Sequence, residues 1–136
     1  MKKTLLFLMF LCALPDMSRA CSCLDPGPFE DAIKSYDTIF SGTAVSVEKH
    51  ATTQLIVKFK DVNPWKGTPG KQPSVITEAS GGTCGYGFEV GKAYLIYAHR
   101  ANKDPATTQF NTFLCSPTKL LSSAEEDLKF LKALKP

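Results

Sequence analysis

The sequence has little excess charge and no second long apolar segment, and these two absences exclude whole classes of protein. Its net charge at neutral pH is +3, and the basic residues form no run and no patch interleaved with aromatic side chains. Nucleic acid is therefore not an expected partner. Beyond residue 20, no segment is long and apolar enough to cross a bilayer as a helix, so we expect no membrane span.

Motifs that carry chemistry are equally scarce. The two histidines, His50 and His99, are isolated from each other, and the chain contains no HExxH or CxxC motif. We therefore expect neither a metal site nor a cofactor that belongs to this chain. No Ser-His-Asp set can be recognised from residue spacing, and we predict that the protein is not an enzyme.

The first 20 residues have the pattern of a signal peptide. Lys2 and Lys3 form a short positive region, an apolar run of about a dozen residues follows, and Ser-Arg-Ala at 18–20 ends the segment. Cleavage at that point would leave Cys21 at the N-terminus of a secreted or periplasmic protein. A bacterial lipoprotein would also begin on cysteine. However, serine stands three positions before Cys21, where a lipobox usually has leucine, and this favours plain secretion.

Residues 21–136 are predicted to form one domain. The segment is long enough to bury a core, and no internal repeat or low-complexity linker divides it. Three of the basic residues lie in the leader against one acidic residue, so the domain itself is close to neutral. We expect it to be a monomer.

The cysteines indicate disulfides. The chain has five, of which Cys12 leaves with the leader. An even number in an exported chain favours disulfides over free thiols, and the four that remain are Cys21, Cys23, Cys84 and Cys115. A bond between Cys21 and Cys23 is disfavoured, because residues two apart on an extended segment point to opposite faces. Two sets of long-range pairs remain open. In the loop-entropy model, each bridge stabilises the folded state by about 4 kcal/mol. A redox-active dithiol at 21 and 23 is less favoured, since two partner cysteines are present.

Hydrophobic periodicity predicts five short strands between two helices. The first helix is predicted over residues 28–37, from apolar residues at helical spacing after Pro28. Residues rich in β-branched or alternating apolar side chains predict strands over 38–49, 53–62, 74–79, 92–100 and 109–115. Gly42 marks a bulge or a bend within the first strand.

Turns and a final helix complete the predicted order. Turn-forming residues occupy 63–73, and a glycine-rich loop at 80–87 holds Cys84. The last helix is predicted to be capped by Ser122 or Ser123 and to continue to about Lys135. Acidic residues fill its first turn and leucines make an apolar stripe.

This order of elements predicts a mainly β fold. No crossover helices separate the strands, which disfavours a parallel sheet. The prediction is a five-stranded OB-like closed barrel with a short N-terminal helix and a C-terminal helix. In this fold, four aromatic side chains are expected to pack in the core or at its rim: Phe59, Trp65, Tyr94 and Tyr97.

Several stretches of residues 21–136 resemble a known family. They are the CxC at Cys21, "YDTIFSGTAVSV", "VNPWKG", "CGYGFEVGKAYLIYA" and "FLCSPT". They are similar to the netrin-like module and, more narrowly, to the N-terminal domain of tissue inhibitors of metalloproteinases. The style of the leader and the shortness of the chain suggest a bacterial member. The resemblance implies an OB barrel and the disulfide pairs Cys21–Cys84 and Cys23–Cys115.

The resemblance also implies a function for the first cysteine. In these inhibitors, the α-amino nitrogen and the carbonyl oxygen of the N-terminal cysteine chelate the catalytic zinc of a metalloprotease. Carried over, Cys21 would bind that zinc in trans, and Ser22 would enter the first primed pocket of the protease. Cys23 and Leu24 would follow along the cleft, with Thr83 beside them. Netrin-like modules also occur without inhibitory activity, so a secreted binding or scaffold module is the alternative function.

Overall fold

The computed structural model describes residues 21–25, 27–79 and 83–135. The predicted signal peptide at 1–20 lies outside these residues. Across the described ranges, no helix has the length and apolarity that a membrane span requires.

Two helices and six strands follow one another along the chain. Helix α1 covers Phe29–Ser35, and helix α2 covers Glu125–Leu134 after a 3-10 turn at Leu121–Ser123. The strands are β1 Thr38–Lys49, β2 Gln54–Lys66, β3 Ser74–Glu78, β4 Ala93–Arg100, β5 Gln109–Asn111 and β6 Lys119–Leu120.

The sheet closes into a barrel because β1 pairs with two neighbours. Strand β1 is antiparallel to both β2 and β4, and the strand order is β1-β2-β3-β5-β4. Strands β3 and β5 are parallel, and the other pairs in the ring are antiparallel. The predicted five-stranded OB-like closed barrel, with one helix before it and one after it, is confirmed. Strand β6, two residues long and paired with β4, was not predicted.

A bulge at Gly42 lets the long strand β1 bend around the barrel. The pairing register with β2 shifts between Ser41 and Thr43. A Cβ atom at Gly42 would lie 3.2 Å from the carbonyl oxygen of Lys60, so the two backbones approach more closely here than a side chain allows comfortably. The bulge predicted from the glycine is confirmed.

The predicted turn at 63–73 begins too early. Strand β2 continues to Lys66, which pairs with Ile39, and Pro64 lies opposite Phe40 inside the strand. Proline donates no ladder hydrogen bond, but the register is already irregular between Ile39 and Phe40, and this irregular pairing accommodates it. The chain turns only at Gly67, where φ is +70°.

The predicted fifth strand ends too late. Strand β5 stops at Asn111, and residues 113–116 form a turn in which the Ser116 nitrogen donates to the Phe113 oxygen at 3.0 Å. The predicted strand at 109–115 is therefore wrong after Asn111. Cys115 lies in this turn and not at a strand end.

Both helices also have shorter bounds than predicted. Helix α1 ends at Ser35, because the backbone at Tyr36 is already extended. Neither Ser122 nor Ser123 caps α2, since both lie in the 3-10 turn and Ala124 occupies the N-cap without a side-chain hydrogen bond. Three acidic residues in the first turn of α2 stabilise the helix instead, because their negative charges interact favourably with the positive end of the helix dipole.

Strand β4 contributes to two separate cores. Successive side chains of a strand face opposite sides, and both sides of β4 are covered. Its inward residues join the barrel interior, and its outward residues pack beneath the helices. The interior cluster contains Phe40, Ala44, Val57, Phe59, Val75, Phe88, Tyr94, Ile96, Ala98 and Phe110. The cluster beneath the helices contains Ile33, Tyr36, Ile39, Leu95, Tyr97, Ala124 and Leu131, with Trp65 partly buried against it. The predicted packing of Phe59, Trp65, Tyr94 and Tyr97 is confirmed.

Candidate functional site

The segment Cys21–Asp25, called here the N-terminal ridge, lies on the surface without regular secondary structure. Ser22 and Leu24 are exposed, and Leu24 is 91% exposed. A leucine left so open gains nothing from the core, so folding alone does not account for it. The ridge is therefore the first candidate for a surface that meets a partner.

Two disulfides attach the ridge to the barrel at alternate residues. Cys21 is bonded to Cys84, with 5.7 Å between their Cα atoms, and Cys23 is bonded to Cys115, with 5.2 Å. This is the pairing that the resemblance implies. Because both ridge cysteines have partners elsewhere, the structure contains no Cys21–Cys23 dithiol or bridge. Ser22 is held between two fixed points, and its backbone has little freedom to lose when a partner binds.

The loop that carries Cys84 lies against the end of β3. Cys84 has a φ of +62°, in the left-handed region that residues other than glycine seldom adopt. A Cβ atom at Gly85 would overlap the carbonyl oxygen of Glu78, so only glycine fits there. The Tyr86 nitrogen donates to the Thr77 hydroxyl at 2.8 Å and continues the attachment. Tertiary contacts thus hold the first anchor of the ridge in an unusual backbone conformation.

Thr83 lies next to the first anchor of the ridge. It precedes Cys84 directly, its side chain is exposed, and its hydroxyl donates to the carbonyl oxygen of Ala79. The remaining part of the glycine-rich loop, residues 80–82, lies outside the described residues. Thr83 and the ridge are therefore connected through the Cys21–Cys84 bridge.

The turn that carries Cys115 adds two apolar side chains that sequence reasoning missed. Phe113 and Leu114 are 43% and 46% exposed, and they directly precede Cys115. Together with Leu24 they flank the Cys23–Cys115 bridge, and they make up three of the six large exposed apolar side chains in the described ranges. Such clustering is typical of a contact surface. The assignment of 109–115 to a strand concealed it, although "FLC" beside a cysteine is a visible signal.

Charge is sparse around the ridge. Asp25 is its single ionisable side chain, and the Asp25 carboxylate accepts a hydrogen bond from the Gly27 nitrogen at 3.0 Å. Beneath the Cys84 loop, hydrogen bonds from Gln54 and then Thr53 lower the pKa of Glu78, which accepts from the Gln54 amide at 2.9 Å. The exposed ridge is therefore mostly neutral, and Glu78 remains ionised at neutral pH.

The described residues contain no group of three or more His, Cys, Asp or Glu side chains that would hold a metal ion. His99 lies 3.7 Å from Asp37 and stacks on Tyr36, with 4.8 Å between the ring centres. His50 is exposed at the end of β1, and its backbone nitrogen donates to Gln54 at 2.8 Å.

Comparison of the chain with protein-family models and with curated proteins finds no match. The functional assignment therefore depends on the geometry of the ridge. That geometry presents the exposed side chains of Ser22 and Leu24 on a segment that is fixed at Cys21 and at Cys23. A surface of this kind is suited to entering the cleft of another protein with little loss of conformational entropy.

Proposed function

We propose that this protein is a secreted, netrin-like inhibitor of zinc metalloproteases, similar to the N-terminal domain of tissue inhibitors of metalloproteinases. In this proposal a signal peptidase removes residues 1–20. The new α-amino group of Cys21 and the carbonyl oxygen of the same residue then chelate the catalytic zinc of the protease. Ser22 enters the first primed pocket, Cys23 and Leu24 lie along the cleft, and Thr83 contacts its edge.

The observation that carries the proposal is the doubly bridged, exposed ridge. A segment that enters a protease cleft has to be accessible and held in place, and Cys21–Asp25 is exposed from Ser22 onward and bridged at Cys21 and Cys23. The free energy lost in ordering a flexible segment reduces affinity, and two bridges at alternate residues of the ridge remove most of that loss. Disulfides also persist in oxidising compartments, which agrees with an exported protein.

The chemistry of zinc supports the role of Cys21. A catalytic zinc has three protein ligands and an open position that water normally fills. An amine nitrogen and a carbonyl oxygen on one residue form a five-membered chelate ring with the metal and displace that water. The nitrogen must be neutral to donate its lone pair, and a free α-amino group has a pKa of about 7.7 to 8.0. Zinc competes effectively with the proton at neutral pH, as it does for other nitrogen ligands.

The test is inhibition of a panel of zinc metalloproteases by the exported protein. Its N-terminus is first identified by mass spectrometry, and both bridges are mapped without reduction. We expect at least one protease to be inhibited by the protein that begins at Cys21. A variant with one alanine added before Cys21 keeps the bridges and the net charge, but its residue 21 nitrogen is an amide without an available lone pair. We expect this variant to bind the protease at least about a hundredfold more weakly.

Acetylation of the α-amino group is the matched chemical control and should have the same effect. An alanine-extended protein that inhibits as strongly as the parent would exclude chelation by Cys21. Binding of both forms to a partner that contains no zinc would instead favour the alternative, a non-inhibitory netrin-like binding module.

A further inference from the structure

One edge of strand β4 has a gap in its pairing. Strand β6 pairs with the early part of β4, opposite Tyr94 and Leu95, and β5 pairs with its end, opposite His99 and Arg100. Among the described residues, no strand faces Tyr97 on this edge. The Tyr97 backbone is buried, and an unpaired buried N–H or C=O would be costly.

Side-chain hydroxyls fill this gap in place of a strand. The Thr118 hydroxyl oxygen accepts from the Tyr97 nitrogen at 3.0 Å, and the Thr112 hydroxyl donates to the Tyr97 carbonyl oxygen at 2.9 Å. The Ser116 hydroxyl lies 2.9 Å from the Thr112 hydroxyl. All three side chains, called here the hydroxyl cluster, are buried.

The Thr112 hydroxyl makes more contacts than any other member of the cluster. It lies 2.9 Å from the Tyr97 carbonyl oxygen, 2.9 Å from the Ser116 hydroxyl and 3.2 Å from the Thr118 hydroxyl, which itself lies 3.4 Å from the same carbonyl oxygen. The Ser116 oxygen in turn accepts from the Thr118 backbone nitrogen at 3.4 Å. Thr112 is therefore the centre of the cluster, and loss of its hydroxyl would affect every other member.

The cluster brackets the turn that carries Cys115. Thr112 is the last residue before the turn, and its own nitrogen donates to Ile76 of β3 at 3.0 Å. Thr118 follows the turn after Pro117 and leads directly into β6. Hydroxyls in place of a strand allow the chain to leave the barrel surface at this point and to return at Thr118. Cys115 is thereby carried outward to meet Cys23.

We propose that Thr112, with Ser116 and Thr118, positions the N-terminal ridge through the Cys23–Cys115 bridge. These are positioning residues, since they lie beneath the turn and do not face a partner. Their effect on affinity depends on the inhibitory function proposed above, whereas their effect on the turn and the ridge does not. The two effects can therefore be measured separately.

The experiment is native-state hydrogen exchange on the exported protein and its variants. The probes are the Leu114 amide, which donates to Cys84 at 2.9 Å, and the amides of 22–25, each compared with core amides of β4. Thr112→Val removes the central hydroxyl with little change in shape, and Thr112→Ser keeps it. The matched control is Thr38→Val. Thr38 is also buried, and it donates to the Lys66 carbonyl oxygen at 3.0 Å on another part of the barrel.

We expect Thr112→Val to accelerate exchange of the Leu114 amide, relative to the core amides, by at least about tenfold, with Thr112→Ser close to the parent. Thr38→Val should leave this ratio unchanged. Equal ratios in the two valine variants, or no change at Leu114, would overturn the proposal. If Thr112→Val does not fold, Ser116→Ala removes a hydroxyl that contacts Thr112 and Thr118 but not Tyr97, and the same comparison decides.

Protease inhibition is the second readout. If the parent inhibits a protease, Thr112→Val should weaken inhibition by about tenfold while Thr38→Val does not. Unchanged inhibition by a folded Thr112→Val protein would refute the positioning role. If the parent inhibits no protease, the proposed function fails, and the exchange ratios still decide whether the cluster positions the ridge.

Discussion

The backbone nitrogen of Leu114 donates a 2.9 Å hydrogen bond to the carbonyl oxygen of Cys84, and this bond joins the two loops that anchor the ridge. Each loop carries one bridge, to Cys21 or to Cys23. The ridge, the Cys84 loop and the Cys115 turn thus form a closed frame. A change in the structure of one loop is expected to shift the other loop and the ridge. The first two predictions follow from this connection.

Removal of the second bridge should affect both stability and the ridge. The Cys23–Cys115 bridge closes a loop of 92 residues, and its loss in Cys23→Ala with Cys115→Ala should lower the free energy of unfolding by about 4 to 5 kcal/mol. Urea unfolding without reductant measures this. Affinity for a protease, measured where the variant is fully folded, should fall as well, because the ridge is then held at Cys21 alone. Equal affinity of variant and parent would favour a module that binds through its barrel face.

Gly85 should tolerate no larger residue. In Gly85→Ala the new Cβ would meet the carbonyl oxygen of Glu78, so the backbone must shift, at a cost of about 1 to 3 kcal/mol in unfolding free energy. The shift would also move Cys84 and weaken inhibition. Gly87→Ala is the matched control, since no atom lies within 4 Å of the Cβ it would add. A Gly85→Ala protein as stable as the Gly87→Ala protein would contradict the close approach.

The barrel could be predicted because its signals are local. β-Branched residues identify β1 and alternating apolar residues identify β2, and the continuous apolar run of β4 follows from cores on both of its sides. The turn at Cys115 could not be predicted in this way. Its aromatic and β-branched residues are typical of a strand, but the strand ends at Asn111, where Thr112 and Thr118 contact the distant Tyr97. Such contacts have no local signature.

Only a part of the candidate site could be predicted from the sequence. Cys21, Ser22 and Thr83 are predicted as site residues through the resemblance to the netrin-like module, which rests on the CxC pattern and the stretch around Cys84. Phe113 and Leu114 were missed, because the strand assignment placed every second residue of 109–115 in the interior.

The extension of β2 through Pro64 was also missed. A proline is interpreted as the end of a strand unless the pairing register is known to be irregular at that position.

The buried hydroxyl of Tyr97 should make stability sensitive to alkaline pH. It donates to Asp127 at 2.7 Å, and burial, followed by the hydrogen bond to Asp127, raises the pKa of Tyr97. The folded state therefore keeps this proton at pH values where the unfolded chain, with a tyrosine pKa of about 10, loses it. The stabilisation is complete below about pH 10 and decreases as pH rises above that value, by at most about 1.4 kcal/mol per pH unit.

Tyr97→Phe tests this directly. At pH 7 the variant should lose about 1 to 3 kcal/mol of unfolding free energy, since Asp127 is buried and loses the Tyr97 hydrogen bond while it keeps the ion pair with Lys119 at 2.9 Å. Between pH 9 and about 11 its stability should fall less steeply than that of the parent. Burial also raises the pKa values of Tyr36 and Tyr86, so some alkaline slope should remain. Identical slopes in urea unfolding would show that Tyr97 does not titrate as proposed.

Ser22 should control which proteases are bound, without any effect on the fold. Its side chain is exposed between two bridged cysteines, so replacement by a larger residue removes no packing and should change the unfolding free energy by less than about 0.5 kcal/mol. In the proposed complex the same side chain fills the first primed pocket, where a single methylene group is worth about 10- to 200-fold in discrimination. Ser22→Val and Ser22→Leu should therefore reorder the inhibition constants across a panel of zinc metalloproteases. The matched control is Lys103→Leu, an exposed residue of the loop between β4 and β5, which should leave that order unchanged. A uniform loss of affinity against every protease would indicate that Ser22 supports the ridge and does not enter a pocket, and an unchanged order would place the contact surface elsewhere on the barrel.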